Sequence, residues 1–258
     1  MKQQPLLRVL TGLFALTLAV SGWQIARRLL DYRAGARVYA EAAAAAGLAA
    51  PGAPQAGQAG PEEDPLAALA GLDLAALRRQ SPNAAGWILV PGTGISYPVV
   101  QGEDNLYYLS HAWNGEANAM GAVFIGCECA ADCSDWNTIL YGHRMANGSM
   151  FTGLARYRSP EFCRQNPSVY LALDSGVWRY DVFAAFEAGV EEPVYRVGEL
   201  DTPARQELLD LCAARSAVDP GVRPTTEEPI LTLSTCTVDN AATRWVVLAV
   251  RRAGPQPA

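Results

Sequence analysis

Hydrophobic positions divide the chain into an apolar N-terminal run, a segment almost free of bulky apolar residues, and a long region of short apolar runs. Leucines recur at helical spacing through residues 66–80, which predicts an amphipathic helix that Ser81-Pro82-Asn83 ends. Runs rich in aliphatic and β-branched residues then predict strands over 87–90, 95–100, 122–125, 138–141, 169–173, 178–185, 230–234 and 245–250. The helices predicted between them cover 105–110, 150–157 and 203–214. Because helices do not alternate with strands, the pattern favours a closed or nearly closed β-barrel over a doubly wound sheet.

The N-terminal run has no formal charge over residues 9–26 and is almost purely apolar over 9–20. We interpret it as an uncleaved signal-anchor, because its length suffices for a marginal span and Trp23 suits a membrane interface. No small-x-small cleavage site closes the run, but a cleaved signal peptide and a soluble helix are the alternatives. The basic residues Arg27, Arg28, Arg33 and Arg37 after the run outweigh Lys2 and Arg8 before it. By the positive-inside rule, this bias alone favours a cytoplasmic C-terminal domain.

Residues 40–65 are rich in Ala, Gly, Pro and Gln, with Leu48 as the bulky apolar exception. Such a segment is not expected to bury a core, so we predict a spacer that is helical near 41–46 and irregular afterwards. The predicted organisation is therefore a short tail and transmembrane signal-anchor over 1–28, an Ala/Gly/Pro-rich spacer over 29–65, and a globular domain over 66–258.

Composition limits the chemistry. The formal net charge is −6 and basic residues do not cluster beyond the N-terminal flank, which argues against nucleic acid as a partner. The sequence contains two histidines, His111 and His143, so any histidine-dependent reaction must use one of them. His111 follows an amphipathic patch and suits a surface position.

Three residues could together carry nucleophilic acyl transfer. Cys236 ends an apolar, β-branched run, and its thiolate would need a nearby cation or imidazolium. His143 follows a predicted strand and could protonate a leaving amine and deprotonate an incoming one. Arg244 precedes the last predicted strand, where a guanidinium could hold an oxyanion. Taken singly, each has a structural alternative: a buried thiol, a structural histidine and a solvated arginine.

Cys127, Cys129 and Cys133 form a C-x-C-x3-C cluster that has no standard zinc spacing and no neighbouring histidine. A disulfide of Cys127 or Cys129 with Cys133, free thiols in a loop, and a metal site all stay open. The remaining cysteines, Cys163 and Cys212, suit buried small hydrophobic positions, while Cys236 must stay unpaired to react. We predict no cofactor and no metal.

Several motifs in order resemble class B sortases across about residues 66–252. They are TLSTC at 232–236, YGHRM at 141–145 with GSMFTGL at 148–154, GWI at 86–88, and YPVVQGEDNLYYL at 97–109. Two positions depart from the family pattern. Cys127, Glu128 and Cys129 follow Gly126 where many relatives have an acidic residue, and Thr237 follows the cysteine where some relatives have an acidic or polar one.

The resemblance implies a mainly β fold: a closed eight-stranded sortase barrel with an N-terminal helical cap and an extra helix, 203–214, in a long inter-strand loop. It implies that Cys236 is the nucleophile, His143 the acid and base, and Arg244 the oxyanion-stabilising cation. Asn105, Leu109 and Ser234 match positions that line the family's substrate groove. It also implies a single-pass cell-membrane protein with an extracytoplasmic catalytic domain, against the charge bias described above.

The function implied by the resemblance is a cysteine transpeptidase. It would cleave a C-terminal sorting signal, NPxTx-like rather than LPxTG, of secreted proteins and form a thioester. An amine of a peptidoglycan precursor or a pilin would then resolve that thioester. A thiol protease that hydrolyses the same acyl-enzyme and a non-catalytic, membrane-tethered binding module are the alternatives.

Overall fold

The computed structural model describes residues 4–48, 64–69, 71–236 and 242–252. Its five α-helices are α1 (Gln4–Ala45), α2 (Pro65–Leu69), α3 (Leu74–Gln80), α4 (Pro160–Gln165) and α5 (Thr202–Arg215) among these residues. The strands are β1 (Ala84–Val90), β2 (Ile95–Gln101), β3 (Val123–Ile125), β4 (Asn137–Tyr141), β5 (Ser168–Leu173), β6 (Gly176–Gly189), β7 (Ile230–Cys236) and β8 (Thr243–Arg251). Three 3₁₀ helices cover Tyr107–Leu109, Phe151–Arg158 and Pro193–Tyr195.

The eight strands close into a barrel in the order β1-β2-β3-β4-β7-β8-β6-β5. The β2–β3 and β4–β7 pairs are parallel and the others antiparallel. The predicted fold is therefore confirmed, and so is the extra helix, because α5 lies in the long connection between β6 and β7. Closure leaves no unpaired sheet edge, which suits a domain with few helices to cover one.

Alternation along β7 and β8 divides the apolar residues between two cores. Leu231, Leu233 and Val247 belong to the larger core inside the barrel. Val246 and Leu248 belong to a second core, which α5 covers with Leu208, Leu209 and Cys212. The β6–β7 connection thus covers the outer face of the β7–β8 pair at these residues.

The predicted helix over 66–80 is two helices in the structure. Asp73 interrupts it by capping α3, since its side chain accepts a hydrogen bond of 2.8 Å from the backbone N–H of Ala76. An Asp at this position competes with the helical backbone and starts a new helix. The predicted helices over 105–110 and 150–157 are the 3₁₀ helices Tyr107–Leu109 and Phe151–Arg158.

Helix α1 extends into the range predicted to be a spacer. The buried positions of α1 and of Ala46, directly after it, recur at helical spacing and are mostly small: Gly35, Val38, Tyr39, Ala42, Ala43 and Ala46. A side chain on Gly35 would overlap the sulfur of Met120, so the glycine lets helix and barrel approach closely. The expectation that residues 40–65 bury no core thus fails over 42–46, because small side chains bury surface by close approach. The irregular part of the spacer, 49–63, lies outside the described residues.

The predicted transmembrane signal-anchor is wrong. No helix in the described part of the chain is long and apolar enough to cross a membrane. The almost purely apolar stretch covers only 9–20, short of the roughly 20 residues that a span needs. Ser21, Gly22 and Gln24 then dilute it before Arg27. The predicted single-pass location in the cell membrane is corrected on the same ground.

Candidate active site

Two neighbouring parallel strands bring the predicted cysteine and histidine to one end of the barrel. In the β4–β7 pair, Tyr141 lies opposite Ser234. The backbone N–H of Gly142 continues this ladder by donating to the carbonyl of Ser234 at 3.2 Å. His143 and Cys236 each follow that pair by two residues. The parallel register therefore places both residues at the same barrel end, at the ends of the neighbouring strands β4 and β7.

Arg244 reaches the same end from the other side of β7. It is the direct antiparallel partner of Cys236 and also pairs with Ala188 on β6. Its Nη1 donates to the Thr243 carbonyl at 3.0 Å, and its side chain is half-buried. The adjacent Thr243 hydroxyl donates to the Glu187 carboxylate at 2.5 Å, which fastens the start of β8 to β6. The structure thus brings the backbones of Cys236, His143 and Arg244 together; the cysteine side chain lies outside its described part.

The ring of His143 is held in one tautomer. Its Nε2 lies 2.7 Å from the backbone carbonyl oxygen of Leu109. A carbonyl oxygen only accepts, so Nε2 carries a proton and Nδ1 of the neutral ring is left as the basic atom. The backbone is fixed too, because the N–H of Phe151 donates to the His143 carbonyl at 2.9 Å. Nδ1 is thus the ring atom that can exchange a proton with a reacting group.

The residues predicted to line the substrate groove have different environments. Leu109 is 39% exposed and contributes its carbonyl to His143. Ser234 is 1% exposed, and its hydroxyl lies 3.0 Å from the hydroxyl of Tyr195. Asn105 is held at both ends of its amide: Nδ2 donates to the Glu128 carboxylate at 2.9 and 3.0 Å, and Oδ1 accepts from the Cys127 N–H at 2.9 Å.

Two residues that contact the predicted groove residues were not predicted. Tyr195 stacks on Tyr141 with ring centroids 6.5 Å apart, and it lies in the long connection before α5, where no strand pattern marks it. Glu128 contacts Asn105, whose amide, as the largest cause, lowers the pKa of the Glu128 carboxyl. The position of Glu128 directly after the buried strand β3 could have marked it in the sequence. It lies in the segment after Gly126, which departs from the family pattern.

The cysteines outside β7 are free thiols. This decides against a disulfide within the Cys127, Cys129 and Cys133 cluster, and no group of His, Cys, Asp or Glu among the described residues could hold a metal ion. Burial raises the pKa of Cys129 to about 11 and of Cys133 to about 12. At neutral pH these thiols stay protonated and unreactive, as expected for structural cysteines.

Comparison with known proteins decides the family. The sortase domain model matches residues 88–252, which include β4, β7 and β8. The chain belongs to the sortase family. Sortases are cysteine transpeptidases, and the matched residues include His143 and Cys236.

Both curated relatives are sortase B proteins, which confirms the class B resemblance. The Listeria monocytogenes protein is 31% identical over 166 residues, covering 64% of this chain and 67% of the relative. The Staphylococcus aureus protein is 29% identical over 161 residues, covering 62% and 66%. The match therefore spans about two thirds of each relative.

Solved sortase B structures share the fold. A Bacillus anthracis structure matches with a TM-score of 0.71 and 27% identity, covering 86% of this sortase and 98% of that chain. A Clostridium perfringens structure gives 0.66 and 28%, covering 70% and 100%. A Staphylococcus aureus sortase B-substrate complex gives 0.65 and 28%, covering 69% and 84%.

Proposed function

We propose that this sortase cleaves a C-terminal sorting signal of the NPxTx type and transfers the protein bearing it to an amine of a peptidoglycan precursor or a pilin. The observation that carries the proposal is the strand register, which places His143, Cys236 and Arg244 at one barrel end, at the ends of the neighbouring strands β4, β7 and β8. The class B relatives, one of them solved with a substrate, support a reaction of this kind, and the NPxTx type is what the class B resemblance implies.

In the first half-reaction the Cys236 thiolate attacks the carbonyl carbon of the scissile peptide bond, and an oxyanion forms. Arg244 lies where a guanidinium can stabilise that charge. As the C–N bond breaks, the protonated His143 gives the Nδ1 proton to the departing amine. The products are a thioester on Cys236 and a free peptide amine.

In the second half-reaction an amine attacks the thioester carbonyl. The Nδ1 atom of His143 now accepts a proton from the attacking nitrogen, and the C–S bond breaks to regenerate the thiolate. Throughout the cycle the Leu109 carbonyl keeps the proton on Nε2, so that only Nδ1 changes its protonation state.

The decisive experiment incubates the full-length protein with an NPxTx peptide, with and without an amine acceptor, and follows Cys236 by mass spectrometry. We expect a thioester that disappears faster when the amine is present, giving a ligated product. Cys236→Ala and His143→Ala should lose this activity, while His111→Ala, the matched histidine control, keeps it. An LPxTG peptide tests the choice of signal.

Each other outcome favours an alternative. A thioester that only water resolves, with no ligated product, identifies a thiol protease. No thioester with any sorting peptide supports a non-catalytic binding module. Turnover that survives Cys236→Ala contradicts the proposed nucleophile outright.

A further inference from the structure

We infer that Tyr39, on α1, is a positioning residue that sets the ring of the active-site histidine through Gly121. The inference rests on the proposed function, because it gives α1 a part in the reaction of His143. Tyr39 itself contacts neither a substrate nor the reacting atoms, and it acts on the ring through two chains of contacts.

The first series of contacts leads from Tyr39 to the imidazole ring of His143. The Tyr39 hydroxyl donates a buried hydrogen bond to the backbone carbonyl of Gly121. Gly121 lies directly against the ring, because a Cβ built on it would stand 2.8 Å from Cδ2 of His143 and 3.1 Å from the Leu109 carbonyl oxygen. That carbonyl is also the acceptor for Nε2. The glycine therefore contacts both the ring and the group that fixes the tautomer.

Gly121 has little freedom to move away. Its φ of +59° is the left-handed conformation that favours glycine. The preceding turn is closed by the Gly121 N–H donating to Asn118 at 3.0 Å, and the following N–H of Ala122 donates to Tyr108 at 2.9 Å. The Tyr39 hydroxyl thus adds a side-chain hydrogen bond to the Gly121 peptide, which already packs against the His143 ring.

The second series of contacts leads from Tyr39 to the backbone of His143. The Tyr39 ring meets the Tyr97 ring edge-on, with centroids 5.2 Å apart and planes at 82°. The Tyr97 hydroxyl accepts from the Met150 N–H at 3.1 Å, and the next N–H, of Phe151, donates to the His143 carbonyl. One side chain of α1 therefore supports the two structures that hold the histidine.

Tyr39 is suited to this role because α1 is fastened beside it. The Trp113 indole N–H donates to the Val38 carbonyl at 3.3 Å, and the Tyr39 side chain is 2% exposed. Burial raises the pKa of Tyr39, so its hydroxyl stays protonated and remains a donor.

The test compares Tyr39→Phe, which removes the hydroxyl and keeps the ring contact, with Tyr157→Phe. Tyr157 is a matched control because its buried hydroxyl also donates to a backbone carbonyl, that of Asn166 at 2.9 Å. We expect Tyr39→Phe to lower kcat for transpeptidation about fivefold with KM unchanged, since one hydrogen bond in the positioning chain is lost. Tyr157→Phe should leave kcat and KM at wild-type values.

A spectroscopic readout separates this inference from the proposed function. The sequence has two histidines, so ring ¹⁵N resonances of His143 can be read against His111 as an internal reference. Tyr39→Phe should shift the His143 resonances towards a mixture of tautomers and leave those of His111 unchanged. Wild-type kcat together with unshifted His143 resonances in Tyr39→Phe overturns the inference. If the wild-type protein forms no thioester, the proposed function fails, and the ¹⁵N comparison still decides whether Tyr39 positions the ring.

Discussion

Arg244 is the direct cross-strand partner of Cys236 in the antiparallel pairing of β7 with β8. Opposite residues of such a pair lie close enough for their side chains to interact. A cation at this position can therefore act on charge that develops at the cysteine, whether as thiolate or as oxyanion.

Replacing Arg244 should slow acylation more than it weakens binding of the peptide. We expect Arg244→Gln to lower the single-turnover rate of thioester formation by about 10²–10³, the loss that follows removal of one oxyanion donor. Arg244→Lys should recover part of the rate, because it keeps the charge but not the planar donor geometry. Arg251→Gln, at the opposite end of β8, is the control. A rate that falls equally in both variants would show a loss of folding instead.

Cys236 should be the thiol that reacts selectively in the folded protein. Burial raises the pKa of Cys212 to about 12, and the pKa values of Cys127 and Cys163 are raised as well, in each case with burial as the largest cause. Those groups are therefore protonated near neutral pH. Iodoacetamide at about pH 7 should label Cys236 first, and peptide mapping after alkylation checks the site. Rapid native labelling of Cys127 or Cys163 contradicts this order, while denaturant should expose every cysteine.

The strands were predictable because their signals are local. All eight predicted runs became strands, since each run is rich in aliphatic and β-branched residues and turn residues such as Pro91-Gly92 lie between runs. The packing of α1 was not predictable in this way. Ala42, Ala43 and Ala46 carry little hydrophobic signal, yet all three are buried in the larger core with residues of the barrel.

The residues of the candidate site also differ in whether local sequence predicts their placement. His143 and Cys236 each follow a strand with a family motif, so their placement could be expected from the sequence. The hydrogen bond from His143 to Leu109 spans 34 positions, and nothing local to either residue encodes it. The same holds for Tyr195, whose contact with Ser234 depends on how the long β6–β7 connection folds back over β7.

The contact between Ser234 and Tyr195 should appear as coupling in the free energy of unfolding. Their hydroxyls share one hydrogen bond in a half-buried position, so Ser234→Ala and Tyr195→Phe remove the same interaction. In a double-mutant cycle we expect a coupling energy of about 0.5–1.5 kcal/mol. Denaturant unfolding measures it, and Ser234→Ala combined with Tyr157→Phe should be additive. Additivity of the Ser234 and Tyr195 changes would show that the hydroxyls do not interact.

The Asn105 amide should make stability depend on the protonation of Glu128. Its hydrogen bonds, the largest cause, lower the pKa of the Glu128 carboxyl below the ordinary 4.5. A lowered folded-state pKa adds stability above the unfolded-state pKa, and this is lost as the pH falls through the folded-state value. Asn105→Ala also loses the hydrogen bond from the Cys127 N–H at every pH, so its deficit in stability relative to wild type should be larger at about pH 7 than at about pH 3. The effect is small, because Glu128 is exposed.

Thermal unfolding across that pH range measures the difference, and a ¹³C titration of the Glu128 carboxyl should show its pKa rising in the variant. Asn114→Ala is the control, since the Asn114 side chain accepts a hydrogen bond of 3.1 Å from the backbone N–H of Glu116, and this bond involves a backbone group and not a carboxylate. A stability difference between Asn105→Ala and wild type that persists unchanged at low pH would assign the effect to packing and not to Glu128.

Helix α1 should behave as part of the folded domain over its last turns. Ala43 is fully buried against the barrel, while the neighbouring Ala44 is exposed on the same helix. Leucine at position 43 inserts methylene groups into a closely packed contact, so Ala43→Leu should lower the free energy of unfolding by about 1–3 kcal/mol. Ala44→Leu changes the chain by the same atoms and should stay within about 0.5 kcal/mol of wild type. Equal stability of the two variants would mean that α1 is not packed on the barrel in solution, and it would remove the anchor on which the positioning of His143 by Tyr39 depends.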